Sequence, residues 1–105
     1  MVEVTKADWK LFREKLSNWQ ENYMEKLNKE YVELLMGEGL ASEKFWELEK
    51  RIKQDMRHSG VVMEMRKSEM VYDLVRLLRE KVICESDLEG FSEDIKEAVS
   101  FMAKG

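Results

Sequence analysis

Few residues of this 105-residue chain have types and spacings that support catalysis or metal binding. Asp55 and His58 lie three residues apart, a spacing that can bring a carboxylate and an imidazole to one metal ion on a helix. Metal centres in helix bundles need two such motifs and further carboxylates, but His58 is the only histidine. We therefore expect no metal site and no cofactor. We expect His58 to lie near a helix C-terminus, where a partly protonated imidazole is favoured.

Nucleophilic and acid–base catalysis find equally little support. Cys84 is the only cysteine, and its neighbours Val82 and Ile83 favour packing as a small apolar residue over action as a nucleophile. Acidic pairs such as Glu93 and Asp94 lie in runs of charge, where solvation does not separate their pKa values. The sequence contains no phosphate-binding glycine loop, G-x-S-x-G or His-Glu-x-x-His motif. It predicts a protein that is not an enzyme.

The longest element that positions side chains in this chain is a predicted helix from Lys6 to Met36. Thr5 and Asp8 resemble a capping box at its start, and Gly37 and Gly39 favour its end through left-handed backbone. Such a helix extends ~46 Å, so it should overhang a compact monomer or lie along a partner. Large side chains repeat along it at steps of three or four residues: Trp9, Phe12, Leu16, Trp19, Tyr23, Leu27, Tyr31 and Leu34.

The rest of the chain is predicted to form two more main helices and a short helical tail. The second helix starts after Ser42 as N-cap, ends at the sequence His58-Ser59-Gly60, and turns Phe45, Leu48, Ile52 and Met56 inward. The third runs from about Val62 to Lys81 and is the centre of the core. The tail contains one turn over Glu85–Glu89 and a last helix over Glu93–Ala103, capped by Ser92. The predicted fold class is all-α: an irregular bundle in a single domain, residues 1–105.

Composition limits the function classes further. The formal net charge is −4 and proline is absent. No apolar run approaches the roughly 20 residues that span a bilayer, and the first residues are too polar for a signal peptide. The long helix carries six basic and six acidic residues, without the basic excess typical of membrane-surface helices. We therefore expect no membrane association and a cytoplasmic location.

The aromatic stripe of the first helix suggests association with protein. We predict that the part from Tyr23 to Leu35 is covered inside the monomer. The end bearing Trp9, Phe12, Leu16 and Trp19 is then left for a partner interface, most simply in a homodimer. Trp and Tyr are enriched at such interfaces, because they bury a large area with few rotatable bonds. This interpretation predicts a small adaptor, regulator or inhibitor, and the acidic C-terminal segment would suit a basic partner surface.

Nucleic-acid binding is the alternative. Residues 50–67 hold six basic and two acidic side chains, and Trp46, Lys50, Lys53 and Arg57 share one face of the second helix. Such a face pairs cations with phosphates and stacks an aromatic ring on a base. Neighbouring glutamates and an acidic C-terminal segment oppose this reading, and solvated faces with ion pairs such as Glu49–Lys53 are more usual.

Overall fold

The chain folds into four α-helices with no strand among residues 2–105, the residues that the computed structural model describes. The helices are α1 (Lys6–Met36), α2 (Ala41–Asp55), α3 (Met70–Arg79) and α4 (Glu93–Lys104). Short 3₁₀ turns at Lys67–Glu69 and Glu85–Leu88 precede α3 and α4. The predicted all-α fold, with a long N-terminal helix and a short C-terminal one, is confirmed.

The start of α1 is fixed by the predicted capping box. The Asp8 backbone N–H donates to the Thr5 hydroxyl at 3.0 Å, and the Asp8 carboxylate accepts the Thr5 backbone N–H. The same carboxylate accepts the Ser92 backbone N–H and hydroxyl, both at 2.9 Å. Asp8 therefore holds the N-terminus of α1 against the N-terminus of α4, and it is buried there.

The core lies at the N-terminal half of α1. Phe12, Leu16 and Trp19 pack there with the apolar faces of α3 and α4, and Phe12 is 0% exposed. The remaining core residues are those that α3, the 83–91 segment and α4 turn inward: Met70, Leu74, Val75, Leu77, Ile83, Leu88, Phe91, Ile95 and Val99. Burial of this continuous apolar cluster is the main stabilising contribution to the fold.

The C-terminal half of α1 leaves this core and forms an antiparallel hairpin with α2. The molecule measures 53 × 26 × 21 Å, and its radius of gyration of 16.6 Å exceeds the ~13 Å of a compact domain of this size. None of the residues of α2 is buried. The hairpin is therefore an arm of two helices that no third helix covers.

Two predicted elements differ from the structure. The third helix begins at Met70 instead of Val62, because residues 62–66 adopt no helical conformation. These residues return the chain from the end of α2 to the core, and extended backbone covers about 3.3 Å per residue against 1.5 Å in a helix. The N-cap of α2 is Leu40 rather than Ser42.

The ending of α1 differs in detail from the prediction. Gly37 is the C-cap, but its φ of −72° is extended rather than left-handed. Gly39 supplies the left-handed backbone, with a φ of +130°. Gly60 is required for another reason: an added Cβ would clash with the ring of Tyr23. The turn after α2 can therefore approach α1 closely only with glycine at this position.

Candidate interaction surfaces

The predicted partner interface on α1 is wrong. Phe12, Leu16 and Trp19 are buried in the core, and Trp9 packs beside them with its ring centroid 5.9 Å from that of Phe12. The physical reason is that α3 and α4 cover the N-terminal half of α1, whereas α2 alone reaches the C-terminal half. The expected division of the helix is therefore wrong for its N-terminal half, whereas Leu27 in the C-terminal half is buried as predicted.

A polar cluster joins the two helices of the hairpin. Arg51 donates to Glu30 at 3.0 Å and lies 3.8 Å from the Asp55 carboxylate. The Tyr31 hydroxyl donates to Asp55 at 2.6 Å, beneath the Arg51 guanidinium. Burial and the hydrogen bond to Asp55 raise the pKa of Tyr31 to about 12. These contacts set the rotation of α2, because they turn its Arg51–Asp55 side toward α1.

That rotation exposes the apolar stripe of α2. Phe45 is 62% exposed and Met56 is 58% exposed, and Ile52 is exposed as well, so the predicted inward face of α2 is wrong for these residues. Ile52 and Met56 instead border a shallow cleft of about 160 Å³ beside Met24 and Tyr31 of α1. One apolar surface thus runs across both helices. We call it the hairpin face, and it consists of Met24, Tyr31, Leu35, Phe45, Ile52 and Met56.

Exposed apolar side chains are concentrated in this arm. Of the twelve large apolar side chains that are exposed among residues 2–105, eight lie between Val32 and Met56. Besides those of the hairpin face, they include Val32, Met36, Leu40 and Trp46 at its far end. Contiguous exposed apolar surface of this kind marks a binding site or an aggregation liability in a soluble protein.

The predicted nucleic-acid face does exist as a geometric unit. At 3.6 residues per turn, Trp46, Lys50 and Lys53 lie on the outer flank of α2, away from α1, and Arg57 follows just after the helix. All four are exposed, and Trp46 packs its edge against the Phe45 ring. Lys53 is already paired with Glu49 at 3.3 Å. The flank is therefore accessible but partly neutralised.

A second apolar surface lies at the opposite end of the molecule. A groove of about 680 Å³ runs between the N-terminal segment, α3 and α4, and is lined by Val2, Val4, Val71, Tyr72 and Met102 among others. Lys67 and Ser68 stand at its edge. Phe101 is 80% exposed nearby on α4.

Asp55 and His58 are not brought to a common site. The Asp55 carboxylate faces Tyr31 and Arg51. The His58 ring stacks on Tyr23 at 4.4 Å, and its Nε2 lies 3.7 Å from the Glu80 carboxylate. No group of three possible metal ligands occurs within residues 2–105. His58 follows the end of α2, and its contacts tie the turn after α2 to α1 and α3.

Cys84 is exposed, so the expected apolar packing is wrong. Its Sγ lies 2.9 Å from the Ser86 hydroxyl and 3.3 Å from the Asp87 carboxylate, and its backbone N–H donates to Asp87 at 2.8 Å. The residue caps the 3₁₀ turn that begins at Glu85, and Ile83 alone of this stretch enters the core. Its contacts are those of a turn residue.

Asp73 on α3 has a partly buried carboxyl group with a raised pKa. Its Oδ2 is buried without a hydrogen-bond partner. Burial and the nearby charge of Glu69 raise the pKa of Asp73 to about 6, against the smaller effect of Arg76. Because the folded state then holds a proton more tightly than the unfolded state, the carboxyl group costs stability as pH rises from about 4 to 6.

We therefore expect Asp73→Asn to stabilise the protein at neutral pH. The gain in free energy of unfolding should be about 1 kcal/mol, which is less than the full pKa shift implies, because the carboxyl group is only partly buried and solvent screens its charge. The gain should vanish near pH 4, where Asp73 is protonated in the folded state. Thermal unfolding at both pH values measures this, with the exposed Asp94→Asn as control. Equal stability of Asp73→Asn and the parent chain at pH 7 would contradict the assignment.

The residues that sequence reasoning missed are those with a role set by tertiary contacts. The spacing of Phe12 and Leu16 indicates that they lie on one face of a helix, but it does not indicate which helices cover that face. The link from Asp8 to Ser92 spans 84 residues and has no local signal. The exposure of the α2 stripe was signalled only by the abundance of apolar residues in a short two-helix segment.

Comparisons of the chain with protein-family models, with curated proteins and with solved structures gave no match. Within residues 2–105, no helix has both the length and the apolar character needed to cross a membrane.

Proposed function

We propose that this chain is a non-enzymatic protein-interaction module that binds through the hairpin face. The observation that carries the proposal is the concentration of exposed large apolar side chains on an arm of two helices that no other helix among residues 2–105 covers. The face includes the aromatic residues Phe45 and Tyr31, and aromatic side chains are enriched at protein interfaces. The Arg51, Asp55 and Tyr31 contacts hold the arm in one arrangement, which lowers the entropic cost of binding.

In this role the chain acts as an adaptor, regulator or inhibitor, with the core as a scaffold that presents the arm. A single, unpaired cysteine fits the reducing conditions of a cytoplasm. The acidic C-terminal segment offers a separate surface for electrostatic steering of a basic partner.

A photo-crosslinking side chain tests the proposal in the cell. Benzoylphenylalanine is placed at Phe45 on the hairpin face or, as matched control, at Glu47 on the opposite flank of the same helix. We expect covalent protein adducts from position 45 and at least about tenfold fewer from position 47, as for a buried anchor and a solvated residue. Equal or absent adducts at both positions would contradict binding through this face.

Nucleic-acid binding is the second candidate, and it rests on the exposed flank of Trp46, Lys50, Lys53 and Arg57. A mobility-shift assay at low salt with duplex and single strands tests it. Binding that is abolished by Lys50→Glu with Arg57→Glu would support this function, because phosphate contacts dominate such affinity. No shift at micromolar protein would exclude it.

A further inference from the structure

The hairpin face has the properties of a surface that pairs with a copy of itself. We propose that two chains associate through their hairpin faces into a two-fold symmetric four-helix bundle, with α1 of each chain packed on α2 of the other. This inference rests on the proposed function and names the partner of the same site as a second copy of this chain.

The exposed apolar area matches what a stable dimer buries. At their exposed fractions, the four side chains of the hairpin face that are exposed (Leu35, Phe45, Ile52 and Met56) contribute on the order of 400 Å² of apolar surface. Each partner in a stable protein complex buries about 800 Å², of which roughly 60% is apolar. Two helices that expose such a face are half of a four-helix bundle, in which the apolar face of each hairpin covers the other.

The compact part of the molecule leaves the face accessible. Around α1, the core residues Phe12 and Leu16 and the hairpin-face residues Met24 and Leu35 point roughly a third of a turn apart at 3.6 residues per turn. The helices α3 and α4 therefore lie on one side of α1, and the hairpin face lies on a different side. A second hairpin can approach without displacing any helix of the core.

The charges at the edges of the hairpin face favour packing of α1 of one chain on α2 of the other. The edge of α1 next to the hairpin face is acidic, with Glu21 and Glu25 exposed. The corresponding edge of α2 carries Lys53, which is paired with Glu49 within the chain, and then the exposed Arg57, so it keeps a net positive charge. Arg51 lies beside Glu30, and His58 lies beside Tyr23. In the antiparallel pairing of α1 and α2 that these contacts define, Glu25 lies at a height along the hairpin between those of Lys53 and Arg57.

If the two-fold axis runs parallel to the helices, each residue keeps its height along the hairpin in the second chain. The acidic edge of α1 in one chain then faces the basic edge of α2 in the other. A two-fold axis across the hairpin would instead place α1 on α1, with acidic edge against acidic edge, and like charges disfavour that pairing. Both hairpin tips therefore lie at the same end of the dimer. The two compact parts lie together at the other end.

Mixed cysteine variants test this arrangement without removing any apolar side chain. In a Cys84→Ser background, one chain carries Asn28→Cys and the other carries Lys53→Cys, both beside the hairpin face. We expect the mixture to form the disulfide between the two different chains at least about tenfold faster than either chain forms one with itself, because pairing raises the effective thiol concentration. Preferential self-linking of the Asn28→Cys chain, or equal rates in all samples, would overturn the proposed pairing.

A second pair of variants separates the face from the rest of the surface. Phe45→Ser with Met56→Ser should raise the dimer Kd at least about 100-fold, as for loss of central anchors, whereas Phe101→Ser should leave it unchanged. If no interchain disulfide forms but the Phe45 probe captures another protein in the cell, self-pairing is overturned and the proposed function stands. If neither occurs, both are overturned.

Discussion

Phe12→Ala is expected to lower the free energy of unfolding by about 4 kcal/mol, the usual cost of removing a fully buried ring. Phe12 is 0% exposed and packs with Trp9 and Trp19, so the substitution leaves a cavity between α1, α3 and α4. Since single domains are stable by only about 5–15 kcal/mol, this is a large part of the total. Urea unfolding followed by circular dichroism measures the loss.

Phe45→Ala is the matched control for this substitution, because it removes the same ring from the exposed hairpin face. At low protein concentration it should change the free energy of unfolding by no more than about 0.5 kcal/mol. If Phe12→Ala does not fold, Phe12→Leu should still cost about 1 kcal/mol through imperfect refilling of the site. Equal effects of the alanine substitutions at the two positions would contradict the placement of the core.

Asp8→Asn is expected to cost about 2–3 kcal/mol at neutral pH, since hydrogen bonds to a charged group are the stronger class. The carboxylate accepts four hydrogen bonds, two from Thr5 and two from Ser92. An amide replaces one accepting oxygen by a donor, which faces donors of Ser92 or Thr5. The contact between the first turn of α1 and the start of α4 should loosen as a result.

The loss should also depend on pH in a defined direction. Burial raises the pKa of Asp8, but the hydrogen bonds from Ser92 and Thr5 outweigh it and hold that pKa below its ordinary value. The stabilisation is therefore present above about pH 4 and is lost as pH falls through the folded-state pKa. The Asp8→Asn and parent chains should converge in stability under acid, whereas the exposed Asp94→Asn should match the parent throughout. A difference in stability between the Asp8→Asn and parent chains that persists unchanged below pH 3 would contradict this role of the Asp8 carboxylate.

The elements that the sequence predicts correctly are those with local signals. The bounds of α1 follow from the Thr5–Asp8 capping box and from Gly37, and α4 begins after Ser92 as expected. Capping residues and helical periodicity act within one or two turns, so one sequence is enough to place them. The start of α3 could not be predicted, because residues 62–66 are apolar enough for a helix but form a non-helical connection whose path depends on where α2 and α3 pack.

The candidate site shows the same limit more sharply. Apolar periodicity predicts that a helix has a face, but it does not say which element covers that face. Phe12 and Phe45 have equivalent positions in their local patterns, yet Phe12 is in the core and Phe45 is in solvent. The rotation of α2 depends on Arg51 reaching Glu30 across 21 residues of sequence. Such tertiary contacts determine which side chains are exposed, and they cannot be recognised from the local sequence.

Pairing of two copies of this chain through the hairpin face can be measured as the solution mass by light scattering across a dilution series. We expect the mass of the parent chain to rise from about 12.5 kDa toward twice that value as concentration increases. The chain with Phe45→Ser and Met56→Ser should stay at the single-chain mass over the same range. A parent chain that remains at the single-chain mass at every concentration, or a dimer that these two substitutions leave intact, would contradict it.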